Sequence, residues 1–106
     1  MASAHVPIMF CGEWIEQNGH YKFNGAKARG ILVPYSTMYA QLIERVSRVI
    51  CIDIFEFNIE MKFKLKTFNP MPPVLIMSDD DVDYFLEETI SRAELKISLC
   101  ITYKRK

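Results

Sequence analysis

The chain has 106 residues, in which 13 Lys and Arg balance 13 Asp and Glu, and half of its residues are hydrophobic. This length predicts one domain over residues 1–106, because a second hydrophobic core would have too little chain. A net charge of zero disfavours a general polyanion binder, which would carry a basic excess. No apolar run approaches the roughly 20 residues that cross a bilayer, and the N-terminus lacks the features of a signal peptide. We therefore expect an intracellular protein with no membrane partner.

The first third of the chain is predicted to form a hairpin of two strands. Short apolar runs at residues 8–11 and 31–33 are typical of strands. Several turn-forming residues lie between them and predict a long, turn-rich connection: Gly12, Asn18, Gly19, Asn24 and Gly25. Trp14, Tyr21 and Phe23 also lie there. We expect these aromatic side chains to pack back on the sheet rather than form a functional platform.

Two later segments alternate apolar and polar residues with a period of two, which is the pattern of a half-buried strand. Apolar residues occupy every odd position from Phe55 to Leu65 in one segment, and from Leu95 to Tyr103 in the other. The alternate positions of the second segment are Lys96, Ser98, Cys100, Thr102 and Lys104. A further short strand is predicted at residues 74–77, after a rigid proline-rich break at residues 69–73.

Two helices are predicted. Ser36 or Thr37 is a suitable N-cap for the first helix, whose apolar face carries Tyr39, Leu42, Ile43, Val46 and Ile50. The second helix is expected to be short. Ser78 begins it, with Asp81 at the third position of a capping box, and its apolar face carries Val82, Phe85 and Leu86.

The predicted order of elements is strand, strand, helix, strand, strand, short helix, strand. One arrangement in common use fits this order at this length. It is the ubiquitin-like β-grasp, an α+β fold in which a mixed sheet of four to five strands packs against one main helix and one short helix. Such a fold does not by itself define a function.

No residue pattern indicates catalysis. The sequence has no GxSxG, HExxH, GxGxxG or Walker motif, and no glycine-rich loop precedes a helix. Cys11, Cys51 and Cys100 are an odd number of cysteines without CxxC spacing, so we expect them to be small buried apolar side chains. His5 and His20 lack the spacing of metal ligands. We therefore expect a protein that is not an enzyme and that has no cofactor, no metal and no small-molecule substrate.

Acidic residues cluster where the second helix begins: Asp79, Asp80, Asp81 and Asp83, followed by Glu87 and Glu88. Three interpretations remain open. Carboxylates in a first helical turn stabilise the helix by themselves, because they complement its dipole. They could also form an acidic docking face for a basic protein surface. A loop for a divalent cation is the third and least favoured interpretation, because the spacing lacks the glycine and the terminal Glu of an EF-hand.

Basic residues gather elsewhere. Lys22, Lys27 and Arg29 lie on the predicted hairpin, and Lys62, Lys64 and Lys66 lie on the polar face of the long strand, with a basic tail at residues 104–106. Lysines on a strand commonly do no more than keep it unpaired. A chain with separate acidic and basic faces could also bind its own kind head to tail. The alternative is a nucleic-acid-binding accessory domain that uses the strand and tail lysines.

Three segments carry a resemblance to a known family. They are residues 10–14 (Phe-Cys-Gly-Glu-Trp), the pairs Tyr35-Ser36 and Leu42-Ile43, and residues 73–86, from Pro73 through the Asp cluster to Leu86. The last segment is similar to the second half of the acidic motif of Phox-and-Bem-one interaction domains. The whole pattern more closely resembles the plant variant of these domains, which lies at the N-terminus of MuDR-type (Mutator-like) transposases and their domesticated relatives.

The resemblance implies a β-grasp fold and a non-catalytic role in protein–protein interaction. It also implies a nuclear location and an acidic face at Asp79, Asp80, Asp81 and Asp83. The opposing basic face would include Lys22, Lys27 and Arg29, and Arg29 corresponds to a basic residue of the second strand. Another copy of the chain, or a different protein with a basic surface, is then the expected partner.

Overall fold

The computed structural model describes residues 2–65 and 71–106. Its elements, in chain order, are β1 (Ser3–Gln17), β2 (His20–Pro34), α1 (Tyr39–Ile50), β3 (Phe57–Phe63), β4 (Val74–Ile76), α2 (Asp79–Ser91), a short 3-10 helix (Ala93–Leu95) and β5 (Leu99–Arg105). Lys66 and part of the predicted proline-rich break at residues 69–73 lie outside the described residues. None of the helices described is long and apolar enough to cross a membrane.

The strands form one mixed sheet in the order β2-β1-β5-β3-β4. β1 pairs antiparallel with β2 and parallel with β5, while β3 pairs antiparallel with both β5 and β4. The first and last strands of the chain are therefore neighbours near the middle of the sheet. The α+β class and the mixed sheet are confirmed. The second helix is not short, because α2 has 13 residues and α1 has 12.

The N-terminal hairpin is longer than predicted. β1 and β2 have 15 residues each, and the expected long connection is reduced to Asn18 and Gly19. Their φ angles of 54° and 80° match the positive values that a two-residue hairpin turn requires. Gly12 and Gly25, which had suggested turns, instead pair with each other inside the strands. A side chain at Gly12 would collide with the carbonyl oxygen of Asn24, so this glycine permits a close approach of the strands.

Both helices contribute to one hydrophobic core on the sheet. α1 buries Leu42, Val46 and Ile50, and α2 buries Val82, Phe85 and Leu86, as the helical spacing predicts. Phe85 packs against Phe63 of β3, with the ring centroids 4.9 Å apart. Burial of large apolar side chains in such a cluster is the main source of folding free energy. The core therefore fixes both helices against the central strands.

The N-cap of helix α1 differs from the one that the sequence predicted. Its N-cap is Met38, not Ser36 or Thr37. The backbone N–H of Met38 donates to the side-chain oxygen of Gln41 at 2.9 Å, so the capping contact comes from the third helical residue. This contact satisfies a backbone donor that a helix start would otherwise leave unpaired.

The two alternating segments are strands over only part of their length. β3 begins at Phe57, and Phe55 lies in the preceding turn with 83% of its surface exposed, so its expected place on the buried face is wrong. Leu95 belongs to the 3-10 helix, and β5 begins at Leu99. Asp53 explains the first difference, because its side chain and carbonyl oxygen accept hydrogen bonds from the backbone N–H groups of residues 55–57.

The side chains of β1 do not alternate regularly between the two faces of the sheet along the whole strand. Phe10 lies in the core, and strict alternation would place Trp14 on the same face. Instead, Trp14 and Phe23 contact each other edge to face, with centroids 5.2 Å apart, and line a hollow together with Met9 and Cys100. The prediction that these two aromatic residues pack back on the sheet is confirmed.

The change of face coincides with Cys11, whose backbone is left-handed with a φ of 57°. Its sulfur lies 3.8 Å from the hydroxyl oxygen of Tyr103 on β5. The aromatic pair beyond it lies beside Cys100, which is buried. The predicted polar face of β5 is therefore partly covered by the hairpin.

Candidate protein-interaction site

The acidic cluster occupies the first turns of α2, as predicted. Ser78 is the N-cap, and its hydroxyl oxygen accepts a hydrogen bond from the Asp81 backbone N–H at 3.3 Å. In return, the Asp81 carboxylate accepts from the backbone N–H of Met77 at 2.8 Å. This reciprocal arrangement is a capping box displaced by one residue. Asp81 is thus used to start the helix.

Asp79 is also used internally, in a way that the sequence did not indicate. One of its carboxylate oxygens accepts a hydrogen bond from the backbone N–H of Tyr39, the first residue of α1, at 2.6 Å. The N-termini of the two helices therefore lie next to each other. A carboxylate at this position complements the positive ends of both helix dipoles. This contact fixes the orientation of the acidic turn relative to α1.

Asp80 and Asp83 are exposed, and neither makes a hydrogen bond or an ion pair with another described residue. The cluster is therefore divided into two structural carboxylates and two free ones. Because Asp79 and Asp81 fix the first turn, the two free carboxylates are presented from an ordered backbone. Of the four residues predicted to form an acidic docking face, Asp80 and Asp83 are the two whose carboxylates have no partner among the described residues.

Two exposed apolar side chains flank the free carboxylates. Met77 immediately precedes the N-cap of α2 and has 68% of its surface exposed, and Tyr84 follows Asp83 with 45% exposed. Sequence reasoning did not select either residue. Aromatic residues and Met are enriched in protein–protein interfaces, because they supply apolar contact area beside polar groups. This surface therefore combines negative charge with apolar area.

The basic residues of the hairpin lie on the opposite edge of the sheet. Lys22, Lys27 and Arg29 are exposed on β2, which is one edge strand, while the acidic turn follows β4, the other edge strand. Among the described residues none of the three basic side chains has an ion-pair partner. One molecule thus carries a basic edge and an acidic turn at opposite sides, and these sites are not brought together within one chain.

The strand lysines form a weaker surface than the sequence suggested. Lys62 makes an ion pair with Glu60 at 3.2 Å and is partly buried, whereas Lys64 is exposed just beyond the end of β3. Lys66, the third member of this predicted group, lies outside the described residues. In the tail, the Arg105 guanidinium lies over the ring of Phe57, 4.8 Å from its centroid. Lys62 and Arg105 therefore interact with neighbouring side chains of the same molecule.

The cysteines are placed differently from one another. The expected burial is confirmed for Cys100, and it is wrong for Cys11 and Cys51, which are exposed. Burial raises the pKa of the Cys100 thiol to about 12, which keeps it protonated and unreactive. The side-chain contact with Cys11 raises the pKa of Tyr103. Within residues 2–65 and 71–106, no three His, Cys, Asp or Glu side chains are grouped in a way that could hold a metal ion.

Comparisons of this chain with protein-family models, curated proteins and solved structures find no match.

Proposed function

We propose that this chain is a non-catalytic protein–protein interaction module that docks through the start of α2. The observation that carries the proposal is the pair of exposed carboxylates, Asp80 and Asp83, on a turn held in place by Asp79 and Asp81. Charge presented from an ordered backbone favours association, because little conformational entropy is lost on binding. A basic protein surface is the complementary partner, and complementary charge would speed and orient the encounter.

The proposal includes a β-grasp fold. Its support is the strand order β2-β1-β5-β3-β4 with β1 parallel to β5, together with a helix that follows the first hairpin. The resemblance to Phox-and-Bem-one domains extends this to a proposed origin. The chain would be the N-terminal interaction domain of a Mutator-like transposase or of a domesticated derivative, acting in the nucleus.

A second copy of the chain offers one suitable partner surface. The exposed basic side chains of β2, at Lys22, Lys27 and Arg29, lie on the edge of the sheet away from the acidic turn. Docking of one copy's turn on another copy's edge would be heterologous, so assemblies would grow unless they closed into a ring. Screening by salt should weaken such an association.

Light-scattering mass measured against protein concentration, at roughly 50 mM and 500 mM salt, tests this proposal. We expect the mass to grow at low salt and to return towards the monomer at high salt. Asp80→Lys should abolish the growth. Glu44→Lys, which makes the same change of charge at an exposed position of α1, should not.

Three results would count against this docking mode. Growth that persists in Asp80→Lys would remove the acidic turn from the contact. A dimer that is insensitive to salt would indicate apolar or strand-edge pairing. A monomer in all conditions would exclude a second copy as the partner. The nucleic-acid alternative is tested with a labelled DNA fragment, since Lys64→Glu should weaken DNA binding only if that alternative is right.

A further inference from the structure

The first residues of β1 have no strand beside them on one side. β1 pairs with β2 from Ser3 to Gln17, but it pairs with β5 only at Ile8 and Met9. Residues 3–7 therefore have an open edge on the side where β5 would continue if it were longer. Such an edge is a template for an additional strand, because its backbone N–H and C=O groups are available for pairing.

The backbone groups of Ser3 and His5 point to this open edge. In an antiparallel pair, the residues of a strand alternate between those that bond to the partner and those that face the other side. The Tyr35 N–H donates to the Ala2 carbonyl oxygen at 3.4 Å, so the even-numbered residues here face β2. Pro7 fits this assignment, because it has no N–H to donate to β2. On the open side, Ser3 and His5 make no hydrogen bond with a described residue.

An apolar groove of about 780 Å³ follows the open edge. All of residues 3–7 line it, although alternate side chains of a strand point to opposite faces of the sheet. The groove therefore runs along the edge of β1 rather than over one face. Its volume is in the range of sites that hold a ligand. Unpaired backbone groups and apolar surface are thus available in the same place.

The opposite side of the groove comes from the end of α2 and the segment that leads into β5. Its lining residues there include Ile90, Ala93, Lys96 and Ile97. A strand that already belongs to a sheet has a neighbouring strand about 4.8 Å away, and that neighbour would collide with this side. Every described strand of a second copy has such a neighbour. The groove therefore suits a single extended segment rather than a strand of a second copy.

The charge at the groove is positive. Among the described residues that line it, Lys96 is the only Lys, Arg, Asp or Glu, and its side chain is exposed. The nearby Glu94 is outside the lining. A segment that matches this surface would be extended, apolar at alternate positions, and would carry a carboxylate that can reach Lys96.

We propose that the groove binds an extended, acidic and apolar segment of another protein as an additional strand beside Ser3 and His5. Backbone hydrogen bonds to this edge would supply affinity, and the apolar side chains that enter the groove would supply specificity, as in other cases of strand addition. The contact involves neither the acidic turn of α2 nor the basic side chains of β2. It is therefore a second docking surface, and it does not depend on the function proposed above.

The probe is a fluorescein-labelled peptide, Glu-Ile-Thr-Ile-Glu. Its β-branched residues favour an extended strand, and its sequence is the same in both directions. Fluorescence anisotropy is measured against protein concentration at about 150 mM salt, where distant charges are screened. We expect saturable binding to the parent chain. Asp80→Lys should bind the peptide equally well, because the acidic turn takes no part.

Two modified peptides test whether the backbone makes the contact. Esters replace the amides of the two Ile residues in one peptide, and those of Thr and the last Glu in the other. Each peptide thus lacks the N–H groups of one edge of the strand, and only one edge faces Ser3 and His5. One ester peptide should therefore bind about tenfold more weakly than the other.

Variants of the chain test the open edge and the groove. His5→Pro removes the N–H that would pair with the peptide, so the affinity should fall about tenfold or more. His5→Ala keeps this N–H, and its affinity should stay within about twofold of the parent. Ala93→Trp fills the groove from an exposed position in its lining and should abolish binding. Circular dichroism of each variant excludes loss of folding as the cause.

The charge of Lys96 is tested by reversal. Lys96→Glu should weaken binding about threefold or more. Lys104→Glu makes the same change of charge at an exposed position of β5 that is outside the groove, and it should leave the affinity unchanged.

Three results would overturn the proposal. They are no binding of the peptide up to about 1 mM protein, equal affinities of the two ester peptides, and unchanged affinity in both His5→Pro and Ala93→Trp. The last result would place the peptide on another edge, such as the outer edge of β2. Decanoate, titrated by calorimetry, represents an amphipathic small molecule, and binding of decanoate without binding of the peptide would also overturn the proposal. Failure here leaves the salt-dependent association through Asp80 unaffected, so the two proposals fail separately.

Discussion

The carboxylate of Asp79, the first residue of α2, accepts a hydrogen bond from the backbone N–H of Tyr39, the first residue of α1, at 2.6 Å. One side chain thus caps a helix that begins 40 residues earlier in the sequence. Because the loss of a capping oxygen costs about 0.5–2 kcal/mol, Asp79→Ala should lower the free energy of unfolding by that amount. Urea denaturation measures it.

Asp83→Ala is the matched control for this prediction. Asp83 is exposed on the same helix and has no hydrogen-bond partner among the described residues, so the change should stay within about 0.5 kcal/mol. Asp79→Asn keeps an acceptor oxygen and removes the charge, which separates the two contributions. Equal unfolding free energies for Asp79→Ala and Asp83→Ala would contradict the capping role.

Two glycines of the hairpin should respond in opposite ways to the same substitution. A Cβ atom at Gly12 would collide with the carbonyl oxygen of Asn24, whereas a Cβ atom at Gly30 has no neighbour within 4 Å. Gly12→Ala should therefore destabilise the hairpin strongly. Gly30→Ala should be neutral or stabilise by up to about 1 kcal/mol, since alanine restricts the unfolded chain. Thermal unfolding of both variants checks this, and similar melting temperatures would be evidence against the close approach at Gly12.

Cys100 should resist alkylation in the folded protein. The thiolate is the reactive species, and burial raises the pKa of this thiol to about 12. Iodoacetamide at mildly alkaline pH should therefore modify only the exposed Cys11 and Cys51, and a third adduct should appear after unfolding in urea. Intact-mass spectrometry counts the adducts, and three adducts on the folded chain would disprove the burial.

Trp14 should protect the Cys100 thiol from alkylation, because it lines the same hollow as Cys100. Trp14→Ala removes the ring that packs against Phe23 on this side of the sheet, so water and reagent gain access to the sulfur. We expect Cys100 to become reactive in the folded variant. Tyr21→Ala is a suitable control, since Tyr21 lies outside the lining of the hollow. Unchanged protection in Trp14→Ala would show that other residues cover the thiol.

The same thiol predicts how stability depends on alkaline pH. Cys100 ionises near its ordinary pKa of 9.0 in the unfolded chain and near 12 in the folded chain. Above pH 9 the unfolded state therefore loses a proton that the folded state retains, so this group favours unfolding increasingly as the pH rises towards 12. Below pH 9 it has no effect. The free energy of unfolding, measured by urea denaturation between pH 8 and pH 11, should fall less steeply with pH in Cys100→Ala than in the parent. Equal slopes for the two proteins would contradict this prediction.

Local patterns in the sequence predicted those elements in which one face is buried along the whole length. The apolar stripe of α1 and the alternation in the later part of β3 are such cases, because period and burial coincide there. Phe55 fits the same alternation but lies in a turn. The side chain of Asp53 holds the backbone there, and alternation alone does not reveal that competing hydrogen bond.

The hairpin was underestimated for a different reason. The glycines at positions 12 and 25 look like turn residues in the sequence. Their pairing with each other in the structure shows that they instead allow the two strands to approach closely. The change of face at Cys11 depends on a left-handed backbone at a residue that seldom adopts one. Neither feature has a local signature in the sequence.

The sequence predicted that the acidic residues cluster at the start of α2, but it did not predict which of them make hydrogen bonds within the molecule. Four neighbouring aspartates look alike in sequence. Asp81 could be assigned to capping because its partner, Ser78, is three residues away. The use of Asp79 could not be foreseen, because its partner is the distant Tyr39. Only the folded arrangement shows that Asp80 and Asp83 have no partner within residues 2–65 and 71–106.

The pairing of β1 with β5 has a consequence for the order of folding. The N-terminal hairpin joins neighbouring segments, so it can form as soon as residues 3–34 are available. In the central part of the sheet Leu99 pairs with Ile8. This pairing closes a loop that contains most of the chain, so the entropy of loop closure is lost before the contacts of the paired strands can offset it. During synthesis, the hairpin must therefore wait with one edge unpaired until the last strand has emerged from the ribosome, and its exposure to aggregation should be greatest in that interval.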